Sequence, residues 1–527
     1  MSSYKLTGKE SLGVEFGSTR IKAVLVDEDC NPVASGSYTW ENKFENGVWT
    51  YPLSQVWEGL QAAYAELHLE VFEKTGEYIT ELSSIGISAM MHGYLPFDKD
   101  GNQLAEFRTW RNTITADAAE ELTKLFNFNI PQRWSIAHLY QAILNNEEHV
   151  KDISMLTTLA GYVHYKLCGE NVLGVGEASG MFPIDSETSN YNEKMLDEFS
   201  SLKSVEQFDW KIRDILPEVK GAGNIGGVLT DEGARLIDPS GRLQAGVIMC
   251  PPEGDAGTGM VATNSVTART GNVSAGTSIF SMIVLEKPLS KVYEEIDIVT
   301  TPTGKDVAMV HCNNCCTDLD YWVNIFDEFS KASGNDIPKY KIYDLLYEEA
   351  LKGDEDCAGL VNFNYLSGEP VTHTEDGVPM FVRSQGCKFN LANFFRAQIY
   401  STMSTLKIGM KILENEGVEI DKLTGHGGLF KTPVVGQKLM AGAMNAPVSV
   451  METAGEGGAW GIAVLARYSA EPKGMSLEEY LDTQVFSRYK STTIEPDKKD
   501  VDGFNKYIEL YEKLLEAEKT AYKSINL

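Results

Sequence analysis

Two segments in different halves of the chain share an order of residues that suits phosphate binding. Glu15-Phe-Gly-Ser-Thr19 and Ser274-Ala-Gly-Thr-Ser278 each place a small polar turn between apolar stretches. Small residues let backbone N–H groups approach an anion closely, and hydroxyl groups add further donors. Two such turns facing each other across a cleft would hold the β- and γ-phosphates of a nucleotide. The residues predicted to line these phosphates are Gly17, Ser18, Thr19, Gly276, Thr277 and Ser278.

Two charged residues flank the first turn. Glu15 lies in an otherwise apolar stretch directly before it, and a carboxylate beside a phosphate loop suits Mg²⁺, bound directly or through water. The alternative is a surface glutamate. Lys22 lies five residues past Gly17, where it could place a cation near the phosphates. A solvent-exposed strand lysine is an equal alternative for Lys22.

Asp255 is the candidate general base. It follows the apolar stretch Ala245–Cys250 and precedes a run of small residues, so we expect it at the carboxyl end of a strand. A carboxylate there can accept the proton of an acceptor hydroxyl. A free aspartate, with a pKa of about 3.9, is a weak base. It therefore suits phosphoryl transfer, in which positioning matters more than proton removal. The alternative is a helix N-cap.

Two histidine- and cysteine-bearing motifs leave more than one interpretation open. Met91-His92-Gly93 follows the predicted strand Leu82–Ser88, so His92 is either a sugar ligand or a hydrogen-bonded core residue. The sequence HCNNCC at 311–316 superficially resembles a metal cluster. No second pair of ligands stands at a zinc-binding spacing, which disfavours a zinc site.

The elements that must position these residues occur twice in the same order. Apolar stretches flank each polar turn, which predicts two strand–turn–strand units. Each unit is followed, much later, by a glycine-bearing strand-to-helix junction, Ile85–Gly93 in one half and Leu423–Leu429 in the other. Glycine with serine or threonine is common in hairpin turns, so one pair alone would be attributed to chance. The repeated order instead predicts a duplicated α/β unit with a cleft between the copies.

The remaining periodicity predicts helices that carry no chemistry. Apolar residues at helical spacing predict a helix over 52–68 and a C-terminal helix over 507–522. The intervening segment 494–502 is charged and is expected to be a loop.

Composition excludes several classes of function. The chain has 527 residues and a formal net charge of −29, which disfavours nucleic acid as a partner because phosphate backbones need clustered cations. No run approaches the roughly 18 apolar residues of a membrane span. The segment Met1–Glu10 lacks the apolar core of a signal peptide. The eight scattered cysteines suit a reducing compartment, so we expect a cytoplasmic protein without membrane partners.

Taken together, these segments resemble the FGGY family of carbohydrate kinases from about Leu12 to Arg467, with the greatest likeness to xylulokinases. No single motif is decisive, but the set stands in the family's order. The matching segments are GVEFGSTRIKAVLVD (13–27), SIGISAMMHG (84–93), Glu177-Ala-Ser-Gly180, GVIMCPPEGDAGTGMV (246–261), GNVSAGTSIF (271–280), Tyr365-Leu-Ser-Gly-Glu369, Thr424-Gly-His-Gly-Gly428 and Glu456-Gly-Gly-Ala-Trp-Gly461.

The resemblance implies an α/β fold of two actin-like (RNase H-like) domains of duplicated origin flanking a hinged cleft. We then expect an N-terminal domain over 1–262, with the sugar site, the first phosphate turn and the base, and a C-terminal domain over 263–480, with the second phosphate turn and the adenosine motif. A helical tail is expected over 481–527. It also implies ATP, Mg²⁺ and transfer of the γ-phosphoryl group to a sugar hydroxyl, with Asp255 as base and Glu15 at the metal. The residues that would contact the sugar are Met91, His92, Trp110, Asn112 and Asp255. Gly427 and Gly428 would flank the adenosine, and a homodimer is common in such families.

Three departures from the family pattern bear on the site. The first phosphate motif usually carries aspartate where this chain has Glu15, which moves the carboxylate outward by one methylene group. The family's Trp-Asn-Asp-x-Arg is here Trp110-Arg-Asn-Thr-Ile114, so Asn112 and Ile114 replace two sugar-facing charged residues. A usual Gly-Gly pair aligns with Thr317–Asp318, which bears on nucleotide preference.

The expected function is therefore ATP-dependent phosphorylation of a ketopentose such as D-xylulose. The alternatives within this class are a kinase for ribulose, another ketose or a sugar alcohol. A different class, an ATP-binding sugar sensor or actin-like scaffold, would explain the departures but not an aspartate beside two phosphate turns.

Overall fold

The computed structural model describes residues 4–455 and 457–525, which form two α/β units. The first unit comprises residues 4–266, 297–307 and 457–488, and the second comprises 267–296, 308–455 and 489–525. Within the described residues, no helix combines the length and the apolar character that crossing a membrane requires.

The strands, in chain order, are β1 (Ser11–Phe16), β2 (Arg20–Val26), β3 (Pro32–Thr39), β4 (Lys43–Glu45), β5 (Val48–Thr50), β6 (Ser84–Ala89), β7 (Leu95–Phe97), β8 (Met155–Thr157), β9 (Val172–Gly174), β10 (Ile184–Asp185), β11 (Asn190–Tyr191), β12 (Glu218–Lys220), β13 (Gly227–Val228), β14 (Ile248–Met249), β15 (Glu253–Gly254), β16 (Thr270–Ala275), β17 (Ile279–Val284), β18 (Asp297–Thr300), β19 (Asp306–Cys312), β20 (Leu360–Phe363), β21 (Met380–Arg383), β22 (Lys422–Gly427), β23 (Val448–Met451) and β24 (Ser491–Ile494).

The α-helices are α1 (Leu53–Thr75), α2 (Ala116–Phe126), α3 (Ser135–Leu144), α4 (Leu159–Cys168), α5 (Val175–Ala178), α6 (Glu193–Ser200), α7 (Lys203–Glu206), α8 (Ile212–Ile215), α9 (Asp231–Ile237), α10 (Asp255–Ala262), α11 (Cys316–Ala332), α12 (Lys339–Ala350), α13 (Leu391–Asn415), α14 (Val435–Met444), α15 (Gly457–Ala470), α16 (Leu477–Tyr480) and α17 (Lys498–Ile525).

The sheet of the first unit runs in the order β13-β14-β6-β1-β2-β3, and β15 also pairs with β6. β1 is antiparallel to β2 and parallel to β6. The central strands are buried on both faces: every residue of β6 is buried, and so is every residue of β1 except the partly exposed Glu15. This topology brings the carboxyl ends of β1, β6 and β15 to one edge of the sheet.

The sheet of the second unit repeats this arrangement. Its strands run in the order β19-β17-β16-β22-β23-β24. β16 is antiparallel to β17 and parallel to β22, just as β1 relates to β2 and β6. The repeated pairing confirms the sequence prediction of two related α/β units.

Helix α15 packs directly on the sheet of the first unit. A Cβ atom on Gly13 of β1 would lie 2.1 Å from the carbonyl oxygen of Ala459, and one on Gly461 would lie 2.2 Å from that of Thr258 in α10. Real Cβ contacts are never this short, so these glycines permit the close approach of backbone to backbone. The packing places α10 and α15 beside the carboxyl end of β1.

Two sequence predictions of secondary structure need correction. The segment 494–502 was expected to be a loop, but α17 already begins at Lys498. The strand expected over Ala245–Cys250 is confined to Ile248–Met249, and a second short strand, Glu253–Gly254, follows it. The helix expected over 52–68 is confirmed and is longer, Leu53–Thr75.

Candidate active site

The first predicted phosphate turn is a tight connection between β1 and β2. The amide of Gly17 donates to the carbonyl of Arg20 at 2.9 Å. The turn carbonyls are held by aromatic residues: the Trp40 indole N–H donates to Gly17 at 2.7 Å, and the Tyr51 hydroxyl donates to Ser18 at 2.5 Å. The Trp40 and Tyr51 rings stack at 4.2 Å. The turn is therefore fixed through its carbonyl groups.

Glu15 lies at the end of β1, opposite Lys22 of β2 and beside Ser88 of β6. Burial raises the pKa of its carboxyl to about 7, and the charge of Asp255 adds to this shift. The positive charge of Lys22 acts in the opposite direction. A Cβ atom on Gly458 would lie 2.3 Å from Glu15 Oε1, so the carboxyl rests against the start of α15.

Asp255 is the first residue of α10 and follows β15 directly. Its Oδ1 accepts a hydrogen bond from the backbone amide of Met91 at 3.1 Å. The N-cap position of α10 belongs to Gly254, so Asp255 is not the N-cap residue of the helix. Burial raises the pKa of Asp255, and hydrogen bonds from the amides of Met91 and Ala256 lower it. The structure thus places the Asp255 carboxylate against the backbone of Met91 and close enough to the Glu15 carboxylate for their charges to interact.

Two buried glutamates, Glu253 and Glu177, lie close to Asp255. The Glu253 carboxylate accepts from the amides of Glu177 at 2.9 Å and Gly176 at 3.3 Å, at the start of α5. Burial raises the pKa of Glu253 to about 8. The Glu177 carboxyl is also fully buried, and a Cβ atom on Gly254 would lie 2.4 Å from its Oε2. Burial, with the charges of Glu253 and Asp255, raises the pKa of Glu177 well above its usual range.

The buried Glu253 predicts an unusual dependence of stability on pH. Its pKa is higher in the folded than in the unfolded protein, so the folded state binds the proton more tightly. Stability from this group is complete below pH 4.5 and is lost as the pH rises toward 8. The complete loss amounts to about 5 kcal/mol, since the pKa rises from 4.5 to about 8 and one pKa unit corresponds to about 1.4 kcal/mol.

Urea unfolding at pH 5.5 and pH 8, followed by tryptophan fluorescence, checks this expectation. The Glu253→Gln variant should show a smaller fall in the free energy of unfolding between the two pH values than the wild type. An equal fall in both proteins would contradict the assignment.

The predicted sugar residues Met91 and His92 follow β6. His92 has a left-handed backbone (φ 73°), and its Nδ1 lies 3.2 Å from the carbonyl oxygen of Gly180. Its ring stacks near that of Trp134, with centroids 6.2 Å apart. A Cβ atom on Gly180 would come within 2.7 Å of both Met91 and His92. His92 is therefore a packed, hydrogen-bonded residue, and its contact with a sugar stays a prediction.

Trp110 and Asn112 lie in the loop before α2, and they differ in what they offer. Trp110 is 38% exposed. Asn112 is buried, and its amide oxygen accepts from the Trp49 amide at 2.8 Å. Its amide nitrogen donates to the carbonyls of Trp49 and Thr109, both at 2.9 Å. The polar atoms of Asn112 thus anchor the β4–β5 hairpin, and a direct contact with substrate stays a prediction.

The second predicted phosphate turn joins β16 to β17. Its Gly276 amide donates to the Ser278 carbonyl at 2.9 Å, a closure one residue shorter than that of the first turn. The amides of Cys315 and Cys316, at the start of α11, donate to the carbonyls of Thr277 and Gly276, both at 3.0 Å. This turn too is held through its carbonyls.

The predicted adenosine residues lie beside this turn. Gly427 ends β22 with a left-handed backbone (φ 100°), and a Cβ atom there would lie 2.3 Å from the carbonyl oxygen of Ala275. Gly428 follows it in a single helical turn. The structure therefore places Gly427 and Gly428 next to the strand that leads into the second turn. Glu456, from the last matching motif, lies outside the described residues.

The cysteine motif helps to hold the second phosphate turn, because the amides of Cys315 and Cys316 donate to the carbonyls of that turn. Cys312, Cys315 and Cys316 are buried, with the last two sulfur atoms 3.5 Å apart. Across residues 4–455 and 457–525, no group of three or more His, Cys, Asp or Glu side chains is arranged to hold a metal ion.

Sequence reasoning missed the role of Glu253. It lies in the Pro-Pro-Glu-Gly segment after the predicted strand Ala245–Cys250, to which we assigned no function, whereas in the structure Glu253 pairs with Ser88 of β6 and is buried. A carboxylate two residues before Asp255 was the available signal.

The model of the N-terminal domain of the FGGY family of carbohydrate kinases matches residues 11–241, and that of the C-terminal domain matches 271–470. The chain belongs to the FGGY family of carbohydrate kinases. It is therefore a phosphotransferase that acts on a carbohydrate, which confirms the expected class of enzyme.

Individual FGGY relatives carry different substrate names. The xylulose kinase of Staphylococcus xylosus is 19% identical over 520 residues, 95% of this chain and 99% of that protein. The glycerol kinase of Thermococcus onnurineus is 23% identical over 234 residues, so the match spans only 45% of its length. The structure of gluconate kinase from Lactobacillus acidophilus superposes with a TM-score of 0.79 at 17% identity, covering 98% of this chain and 99% of that one. The last likeness confirms the two-domain α/β fold.

Proposed function

We propose that this FGGY kinase transfers the γ-phosphoryl group of ATP to a hydroxyl of a ketopentose, with D-xylulose as the favoured acceptor. The observation that carries the proposal is the fixed position of Asp255. Its carboxylate stands at the end of β15, held by the Met91 amide at 3.1 Å, with Glu15 at the end of β1 on the same sheet edge.

Asp255 would accept the proton of the acceptor hydroxyl as the hydroxyl oxygen attacks phosphorus. Burial raises its pKa, which makes it a better base than an exposed aspartate. In a loose transition state the proton leaves late, so the orientation of Asp255 by Met91 contributes more than its basicity.

Glu15 would hold Mg²⁺, and its surroundings fit a cation. Burial and, after it, the charge of Asp255 raise the pKa of the Glu15 carboxyl, so a bound cation would stabilise its ionised form and relieve the repulsion between the two carboxylates. Mg²⁺ is commonly bound by one or two carboxylates together with phosphate oxygens and water. Bound there, the metal would neutralise charge on the phosphates. Lys22, opposite Glu15, would add positive charge near the first turn.

The second unit would supply nucleotide contacts. Gly276, Thr277 and Ser278 would bind phosphates, and Gly427 and Gly428 would leave room for the adenosine. The carbonyls of Gly276 and Thr277 are already taken up by α11, which orients the turn residues.

The substrate assignment rests on the Met91-His92-Gly93 motif and on the relatives named xylulose kinase. Two sugar-facing charged residues of the family are replaced here by Asn112 and Ile114. Ribulose, other ketoses and sugar alcohols are therefore the alternative acceptors. We also propose a homodimer, as in the families that the sequence resembles.

Release of ADP, coupled to an indicator reaction, tests the function. The purified protein is supplied with Mg·ATP and a panel of pentuloses, hexuloses, polyols and aldonates. Turnover of D-xylulose well above the rest is the expected result. A different preferred sugar would overturn the substrate assignment, and turnover with none, in protein that binds ATP, would favour the sensor or scaffold.

A further inference from the structure

A buried carboxylate in the second unit holds the residues that precede α11. Glu369 is fully buried, and its Oε1 accepts from the Asn314 backbone amide and side-chain amide, both at 2.8 Å. Its Oε2 accepts from the Asn313 amide at 3.0 Å. Among the described residues, no Lys, Arg or His forms an ion pair with Glu369. Its charge is therefore compensated by N–H donors of this one short segment.

The same segment is fastened from its own side. The Asn314 side-chain oxygen accepts from the amides of Leu366 at 2.8 Å and Ser367 at 3.1 Å. Its side-chain nitrogen also donates to the Ser367 carbonyl at 2.9 Å. Residues 313–314 and 366–369 thus form a closed set of polar contacts, in which each buried group has a partner.

The next two residues reach the second phosphate turn. The amides of Cys315 and Cys316 donate to Thr277 and Gly276. One continuous stretch of four residues therefore has the Glu369 carboxylate bound to its first half and the turn bound to its second half. Displacement of the first half would move the two amides that fix the turn.

We propose that Glu369 is a positioning residue for nucleotide phosphates, acting through residues 313–316 on the turn of Gly276, Thr277 and Ser278. The inference rests on the proposed phosphate-binding role of that turn. The substitution Glu369→Gln tests it, because the glutamine amide would present an N–H group to backbone donors where the carboxylate now accepts.

A matched control exists in the same unit. Glu518 is also fully buried and accepts a hydrogen bond from a backbone amide, that of Val378 at 2.8 Å. The described structure shows no contact of Glu518 with residues 313–316 or with the turn. Glu518→Gln therefore reports the loss of a buried carboxylate without the proposed connection.

The measurements are ADP binding by titration calorimetry and steady-state kinetics with the preferred sugar. Glu369→Gln should raise the Kd for ADP and the KM for ATP at least tenfold, while the KM for the sugar changes less than twofold. Glu518→Gln should leave the Kd for ADP within twofold of the wild type, even where it lowers the melting temperature. Asn314→Ala, which removes the other half of the contact set, should repeat the selective effect if Glu369→Gln does not fold.

Wild-type affinity for ADP in a folded Glu369→Gln or Asn314→Ala variant would overturn the inference. Equal losses in these variants and in Glu518→Gln would also overturn it, because they would mark a general effect of stability. Absence of ADP binding by the wild type would instead overturn the proposed function, and the inference with it.

Discussion

Replacement of Asp255 by asparagine should reduce kcat by about 10² to 10⁴-fold, the range that a positioned general base contributes. Asparagine keeps the shape of the side chain, and its amide oxygen can still accept from the Met91 amide. It cannot accept the proton of an acceptor hydroxyl. We therefore expect the KM for the sugar and the Kd for ADP to change little, and the measurement is coupled ADP release beside calorimetry.

The matched control for this variant is Asp238→Asn. Asp238 is a buried aspartate of the same unit whose carboxylate accepts from the amides of Ser240, Arg242 and Leu243. Its replacement should lower stability while kcat stays within a few fold of the wild type. An unchanged kcat in Asp255→Asn would remove Asp255 from the chemistry.

Replacement of Glu15 by glutamine should have the second largest effect. We expect kcat to fall by about 10² to 10³-fold, as when one preorganised electrostatic contact is removed. Half-saturation by Mg²⁺ should also shift to at least about tenfold higher concentration, because a neutral amide is a poor ligand for a hard cation. Initial rates over a Mg²⁺ titration at fixed ATP provide the measurement.

Glu10→Gln serves as the control for Glu15. Glu10 directly precedes β1, is buried, and accepts from the Thr7 amide and the Tyr4 hydroxyl at 2.9 Å each. This variant should keep the wild-type Mg²⁺ dependence. If Glu15→Gln kept it too, the metal would be bound without Glu15.

The sequence predicted the repeated core well because local patterns determine it. The apolar stretches around Gly17 and Gly276 become antiparallel pairs, and the later glycine-bearing strands join them in parallel. Both features follow from strand periodicity and turn residues, which are local properties of the chain.

The contacts that fix the site could not be predicted in this way, because they join residues distant in the chain. Tyr51 holds Ser18, Glu253 holds the start of α5, and Glu369 holds Asn314. In the sequence Glu253 resembles any polar turn residue, and only the pairing of β15 with β6 shows that it is buried. The role of Asn112 also depends on a distant contact, since its side-chain amide forms hydrogen bonds with the backbone of Trp49.

The most direct test of the central claim is phosphorus NMR of the reaction mixture with Mg·ATP and D-xylulose. Phosphoryl transfer to a sugar hydroxyl predicts a phosphomonoester resonance that grows in step with ADP, and no such resonance without the sugar or with Asp255→Asn. Growth of inorganic phosphate alone, or of no product in protein shown to bind ATP and the sugar, would contradict the account.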